Sequence, residues 1–331
     1  MTGLRQTASA PGSRILGVGA YEPLRVVGNH ELCQRIDSSD EWIRQRTGIT
    51  ERHWASTDET LVAMATAAAR QALDRAGLAA EQIDVVITPT VTHLVQFPAL
   101  AVLTAAALGC PAAAAWDISA ACAGFCYGLA QADALIRSGS ARHVLVAAAD
   151  RLTDLTDFDD RGTAFLFADG AGAAVLGPSD EPGVGPVVWG GDADQAGVIS
   201  QSVDWPTAVA TGERPVIRMD GRQVFRWATA DIAEVTRRIV AAAGLTPDQI
   251  DLFVPHQANN RITNSMLRRL KLPDSVVVSR NITRVGNTSA TSIPMALDRL
   301  YGEDRVQPGA TCLMVGFGAG LTFAGQVVIL P

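Results

Sequence analysis

Cys122 stands in Asp117-Ile118-Ser119-Ala120-Ala121-Cys122-Ala123-Gly124-Phe125, a segment rich in small residues, uncharged after Asp117, that runs straight into a helical pattern. A cysteine at a helix N-terminus meets free N–H groups and the positive end of the helix dipole, which favour thiolate over thiol. Small neighbours let a substrate come close. The same segment also reads as a buried, inert cysteine, the role that suits Cys126 one turn further on. His256 follows the apolar run Leu252-Phe253-Val254 within Pro255-His256-Gln257-Ala258-Asn259. A side chain just past the C-terminal end of a strand in an α/β sheet faces a crevice, although a satisfied core histidine is the other reading. His30, His53, His93 and His143 sit in ordinary polar contexts. Asn287, in the small polar stretch Val285 to Ser292, either caps the helix that follows or offers its amide as a donor. Brought to one crevice, the three supply a nucleophile and two neutral hydrogen-bond donors.

The elements that must position them alternate short β-branched runs with longer helical stretches, which predicts an α/β fold. Strands are expected at Arg14 to Val18, Asp84 to Thr88, His143 to Ala148, Ala173 to Leu176, Asp251 to Val254, Thr311 to Val315 and Gly325 to Leu330. Helices are expected at Leu61 to Arg75, Ala123 to Ser138, Gln223 to Ala242 and Asn287 to Tyr301. Ser56 to Glu59 reads as a capping box for the first helix, and Gly77 as its stop. An internal echo organises the whole: Ala76-Gly77-Leu78-Ala79-Ala80-Glu81-Gln82-Ile83-Asp84 is answered by Ala243-Gly244-Leu245-Thr246-Pro247-Asp248-Gln249-Ile250-Asp251. Each half also ends in a glycine cluster leading into a strand, at Asp169 to Gly172 and at Gly316 to Gly320. Two matches in one order predict a duplicated α/β unit, 1–185 and 186–331, with the boundary in the Gly- and Pro-containing stretch Glu181 to Gly191. Counted from Gly77 and Gly244, Cys122 and Asn287 fall at equivalent helix starts.

Composition narrows the function classes. The chain has 331 residues, 48% hydrophobic and 18% charged, which fits a large globular core and excludes disorder. Its net charge is −7, and Lys271 is the lone lysine among 27 basic residues. Such an acidic chain is a poor nucleic-acid binder. The apolar stretch Phe97 to Trp116 is broken by Pro98, Thr104, Gly109 and Pro111, so no membrane span is expected. Met1 to Ser13 lacks the basic start and apolar block of an export signal, so a cytoplasmic protein is expected. The five cysteines are scattered without CxxC spacing, which predicts neither disulfides nor zinc. GxGxxG, GxSxG and HExxH are absent, and no metal-ligand cluster stands out.

Together, Cys122 in Ala-Ala-Cys-Ala-Gly-Phe, His256 in Val-Pro-His-Gln-Ala-Asn and Asn287 in Gly-Asn-Thr-Ser resemble β-ketoacyl-acyl-carrier-protein synthase III of the thiolase superfamily. Asp40 to Ile49, Asp160 to Thr163, Phe167 to Gly172 and Gly316 to Gly320 extend the resemblance over nearly the whole chain. It implies a thiolase-like fold of two α/β halves in five layers (αβαβα), a homodimer, and no cofactor beyond acyl-CoA as substrate. The implied reaction is a ping-pong decarboxylative Claisen condensation of acyl-CoA with malonyl-acyl carrier protein. Cys122 is then the nucleophile, and His256 and Asn287 stabilise the enolate. The backbone N–H groups of Cys122 and Gly318 form the oxyanion hole. Trp42, Arg46, Arg161, Gly221 and Phe225 match CoA-binding positions, and Phe97 matches an acyl-pocket residue contributed across the dimer. Arg261, Arg268 and Arg269, with Lys271, offer a local basic patch for an acidic carrier protein. Three departures leave the starter acyl group open: Ala319 within the last glycine cluster, Val285 before Gly286, and the unmatched stretch Asp192 to Gly212. The same motifs serve starter-unit priming of an aromatic polyketide pathway, and a non-condensing acyltransferase is a further alternative.

Overall fold

The structure is a computed structural model that describes residues 9–331; residues 1–8, the larger part of the stretch read for an export signal, lie outside the described residues. The first sheet contains β1 (Gly12–Tyr21), β2 (Val85–Pro89), β3 (Ala114–Ile118), β4 (Val144–Arg151) and β5 (Asp169–Ser179), in the order β1-β5-β4-β2-β3. The second contains β6 (Val188–Gly191), β7 (Leu252–Pro255), β8 (Val277–Val278), β9 (Thr311–Gly318) and β10 (Thr322–Ile329), in the order β6-β10-β9-β7-β8. The two orders are the same, and so is the mixture of parallel and antiparallel pairs.

Six longer helices complete the layers: α1 (Leu61–Ala76), α2 (Leu100–Leu108), α3 (Gly124–Arg137), α4 (Gly221–Ala242), α5 (Asn260–Leu270) and α6 (Ser292–Gly302). Strand side chains alternate between faces, and here both faces are buried. Val144 and Val146 point inward to Phe125 and Leu129 of α3 and to Ile293 and Leu297 of α6. Leu145 and Ala147 point outward to α1 and α2. In the second sheet Leu252 and Met314 join the central core, whereas Phe253 and Leu313 face α4 and α5. The result is the five-layered αβαβα architecture. Among the described residues no helix is long and apolar enough to cross a membrane.

The echoed segments do the same work in each half. Gln82 accepts from the Ala79 N–H, and Gln249 from the Thr246 N–H, both at 2.9 Å. Asp84 then accepts from the Arg142 and His143 N–H groups, and Asp251 from the Thr311 N–H and hydroxyl. Gln closes the turn after the helix, and Asp ties the incoming strand to its neighbour.

Two expectations are corrected. Thr60, not Ser56, caps α1, its Oγ1 accepting from the Ala63 N–H at 3.2 Å. The Ser56 N–H does donate to Glu59, but Tyr21 and Leu24 also hold that carboxylate and fix the turn outside the helix. Nor are Cys122 and Asn287 equivalent. Gly124 and Ser292 open the matching helices, each preceded by a three-residue turn, Ala121–Ala123 and Ser289–Thr291. Cys122 therefore matches Ala290, and Asn287 matches Ser119: Cys122 lies two residues before its helix, Asn287 five before its own. The sequence reading also missed β3, β6, β8 and α2.

Candidate active site

A cavity of about 630 Å³ opens where the ends of both sheets meet the central helices, and Cys122, His256, Asn287 and Gly318 all line it. Cys122 sits on the turn before α3, with Ala121 held at φ 44°. Beneath it runs the end of β9. A Cβ at Gly318 would lie 2.9 Å from the Cys122 Cβ, 3.0 Å from Sγ and 3.2 Å from N, so only glycine lets these two backbones approach. That approach sets the Gly318 backbone close against the Cys122 thiol and the Cys122 backbone nitrogen. Burial pushes the Cys122 thiol up to about 12, with the nearby Asp150 carboxylate acting in the same sense and the Ser289 hydroxyl opposing. Burial thus opposes the thiolate that the helix start favours.

His256 is held by its N–H donating to the Val315 carbonyl at 2.8 Å, and its ring meets the edge of Phe317 at 5.4 Å. Its Nδ1 lies 2.7 Å from Ser292 Oγ, which already accepts from the Gln257 N–H. Among the described residues Nδ1 is the one acceptor the Ser292 hydroxyl reaches, so the hydroxyl donates to Nδ1 and leaves Nε2–H as the free donor. Burial pulls His256 down to about 3, so the ring is neutral at ordinary pH. Asn287 is fixed through its backbone, its N–H donating to Leu166 and its carbonyl accepting from Ala168, both at 2.9 Å. Its Oδ1 accepts from the Ser289 N–H at 3.0 Å, which commits the amide nitrogen to donate elsewhere. Gly286 makes this bend at φ 75°, where a Cβ would lie 2.9 Å from that of the fully buried Arg52. Arg52 in turn donates to the Phe165 carbonyl and supports the loop that holds Asn287.

Nearer the mouth, Trp42, Arg46, Gly221, Phe225 and Arg261 line the same cavity. The Arg46 and Arg161 guanidinium groups each lie 5.6 Å from the Trp42 ring, and Arg261 lies 5.0 Å from Phe225. Arg161 is not itself on the wall; it reaches the site through Trp42. Arg268 and Arg269 are exposed on the last turn of α5, and Lys271 follows them. None of these three has an ion-pair partner among the described residues. Phe97 stands apart: it is 80% exposed and does not line the cavity of its own chain. Sequence reasoning missed Ser289, Ser292 and Phe317. The serines lay within the small polar stretch around Asn287, but only the geometry of the turn shows which hydroxyl faces which partner. Among the described residues no cluster of His, Cys, Asp or Glu could hold a metal ion.

Comparison with known proteins agrees with this arrangement. The family described as 3-oxoacyl-[acyl-carrier-protein] synthase III matches residues 116–193, and its C-terminal counterpart matches residues 240–330. A β-ketoacyl-[acyl-carrier-protein] synthase III from Streptomyces glaucescens is 51% identical over the full length of both chains. The crystal structure of the priming β-ketosynthase from the R1128 polyketide biosynthetic pathway superposes with a TM-score of 0.97 at 49% identity, covering 100% of this chain and 99% of that one. The 3-oxoacyl-[acyl-carrier-protein] synthase III from Aquifex aeolicus VF5 gives a TM-score of 0.90 at 39% identity, covering 96% of this chain and 100% of that one. The chain, which brings Cys122, His256, Asn287 and Gly318 to one cavity, belongs to the β-ketoacyl-acyl-carrier-protein synthase III family of thiolase-fold condensing acyltransferases.

Proposed function

We propose that the protein joins the acyl group of an acyl-CoA to malonyl-acyl carrier protein by decarboxylative Claisen condensation through an acyl-Cys122 intermediate. The single observation that carries this reading is the convergence of Cys122, Gly318, His256 and Asn287 on one cavity. Cys122 attacks the thioester carbonyl, and its own N–H with that of Gly318 stabilises the tetrahedral oxyanion. Thiol and leaving group are alike, so the exchange is close to balanced. CoA departs and malonyl-carrier protein takes its place. The malonyl thioester carbonyl then accepts from His256 Nε2–H and the Asn287 amide, which hold the enolate formed as CO₂ leaves. That enolate attacks the acyl-Cys122 carbonyl and expels the cysteine. Trp42, flanked by Arg46 and Arg161, receives the adenine and phosphate end of CoA, while Gly221 and Phe225 pass the pantetheine chain.

Mass spectrometry after incubation with a panel of acyl-CoAs tests the reading. An acyl adduct on Cys122 that disappears with CO₂ release on adding malonyl-carrier protein is expected; an adduct passed to another acceptor without CO₂ release would indicate a non-condensing acyltransferase. A second reading, priming of a polyketide pathway, is favoured by the 0.97 TM-score to the R1128 priming enzyme. Preference for acetyl among the panel supports fatty-acid initiation, and preference for longer or branched chains supports priming.

The exposed Arg268 and Arg269 dock the acidic carrier protein by electrostatic steering. Arg268→Glu/Arg269→Glu is expected to raise KM for malonyl-carrier protein by on the order of tenfold. Acyl transfer from CoA should be unchanged, and the effect should shrink with added salt; equal loss in both half-reactions would remove the docking role. The two halves, 1–185 and 186–331, act in a homodimer in the cytoplasm. Support for the dimer comes from Phe97, Leu94 and Val95, which are 80%, 45% and 53% exposed, and from the unpaired outer edge of β3. A second copy covers this apolar region, and its Phe97 closes the acyl pocket.

A further inference from the structure

Beneath Cys122 lies a buried carboxyl group that the condensation as described does not use. Asp150, on β4, is fully buried and pairs with no cation among the described residues. Its Oδ1 accepts from Thr90 Oγ1 at 3.1 Å, the Val91 N–H at 2.9 Å and Thr92 Oγ1 at 3.0 Å. Its Oδ2 is buried without a hydrogen-bond partner, and so is the hydroxyl of Ser289. The Ser289–Thr291 turn packs against both β4 and the Ala121–Ala123 turn. Ser289 thereby sits between the turn that carries Cys122, beside which it lines the cavity, and the strand that carries Asp150, and its hydroxyl pulls down both the Cys122 thiol and the Asp150 carboxyl. Ser289 is held at φ 59°, in the left-handed region.

We infer that Ser289 and Asp150 form a proton relay that activates Cys122: as the thiol attacks the acyl-CoA carbonyl, its proton passes to Ser289 Oγ while the Ser289 proton passes to Asp150 Oδ2. The S–H bond breaks as the S–C bond forms. CoA leaves as a thiolate and takes its proton from water. Asp150 stays protonated while the acyl-enzyme lasts. When the enolate attack expels the Cys122 thiolate, the proton returns by the same route and restores the resting thiol and carboxylate. This rests on the acyl-Cys122 reading above, and it adds the base that a protonated thiol needs. Burial also raises Asp150 above the usual carboxylate range, which makes it the more able acceptor.

No other charge faces the relay from the elements packed on it. Thr90 and Thr92 after β2, Gly170 of β5 opposite Asp150 and the Ser289–Thr291 turn are uncharged. Arg151 reaches Asp154 and the carbonyls of Ser56 and Glu59 instead, and Asp169 is taken up by Ala55 and Thr153. Across the cavity, His256 is neutral at ordinary pH.

The test compares Ser289→Ala and Asp150→Asn with the unaltered protein in two reactions followed across pH 6 to 9: iodoacetamide alkylation of Cys122 and self-acylation by acetyl-CoA. Ser289→Ala is expected to slow acylation by about 10²-fold or more. Both of its rates should also become proportional to hydroxide concentration, and Asp150→Asn should behave alike. A Ser289→Ala protein that acylates at the original rate, or that is slowed by one factor at every pH with the profile unchanged, overturns the relay. Should Asp150→Asn fail to fold, Ser289→Ala decides alone. Because alkylation needs no acyl substrate, a protein whose alkylation shows the relay but which takes no acyl group would disprove the proposed function and leave the relay standing.

Discussion

Cys122→Ala is expected to abolish acyl-enzyme formation and condensation, a loss of about 10⁶-fold on the scale seen when a covalent catalyst loses its nucleophile. The loss should be selective. His256 and Asn287 are anchored by contacts that do not involve the thiol: the Val315 carbonyl, Ser292, and the Leu166–Ala168 backbone. The variant should therefore still bind malonyl-carrier protein and release CO₂ from it, a split measured by ¹⁴CO₂ release alongside mass spectrometry of the protein. Stability should barely change, since the side chain is half-buried on a cavity wall and alanine removes only a sulfur that faces the void. If Cys122→Ala lost decarboxylation as fully as acylation, the two half-sites would not be separable and the division of labour drawn here would be wrong.

His256→Ala is expected to produce the mirror image. Acylation of Cys122 should persist, while decarboxylation and condensation fall by about 10²–10³-fold, the cost of removing one preorganised donor from a developing oxyanion. Its pH dependence follows from burial, which holds the ring near 3 against an ordinary 6.5. Above about pH 5 the imidazole is neutral with Nε2–H in place, so the decarboxylation profile should show no inflection near pH 6.5. Linkage gives the sign for stability. In unfolded chains the histidine gains a proton below about pH 6.5, while the folded one resists until about 3. This contribution is therefore present above pH 6.5 and lost as pH falls toward 3. Calorimetry of His256→Ala against the unaltered protein should show a smaller loss of Tm on acidification in the variant. An inflection near 6.5 in decarboxylation would mean that an imidazolium is the working form.

The chemistry was legible because its residues lie in short, locally distinctive segments. Cys122 precedes a helix, His256 ends a strand and Asn287 sits in a glycine-led bend; each signature is complete within about ten residues. The duplication was legible for a similar reason, since the Gln and Asp of the echo perform one hydrogen-bonding task twice. What escaped was set by distance in space. The protonation state of Cys122 depends on Asp150 and on burial, neither of which the helix start reveals. The equivalence of Cys122 with Ala290 appears only once the turns Ala121–Ala123 and Ser289–Thr291 are superposable in conformation. Strands β6 and β8 are too short to leave a periodic signal. Ser56 to Glu59 misled because a capping-box pattern also closes an ordinary turn, and long-range contacts from Tyr21 and Leu24 decide between the two.

The left-handed residue at the start of each turn, Ala121 at φ 44° in one half and Ser289 at φ 59° in the other, makes the two helix entries alike in backbone and unlike in chemistry. Neither is glycine, so each half holds an unfavourable backbone at the same station of the same fold. The residue that follows the bend is Cys122 in one half and Ala290 in the other. The pseudo-symmetric frame thus offers one position twice, and a sulfur stands at only one of them.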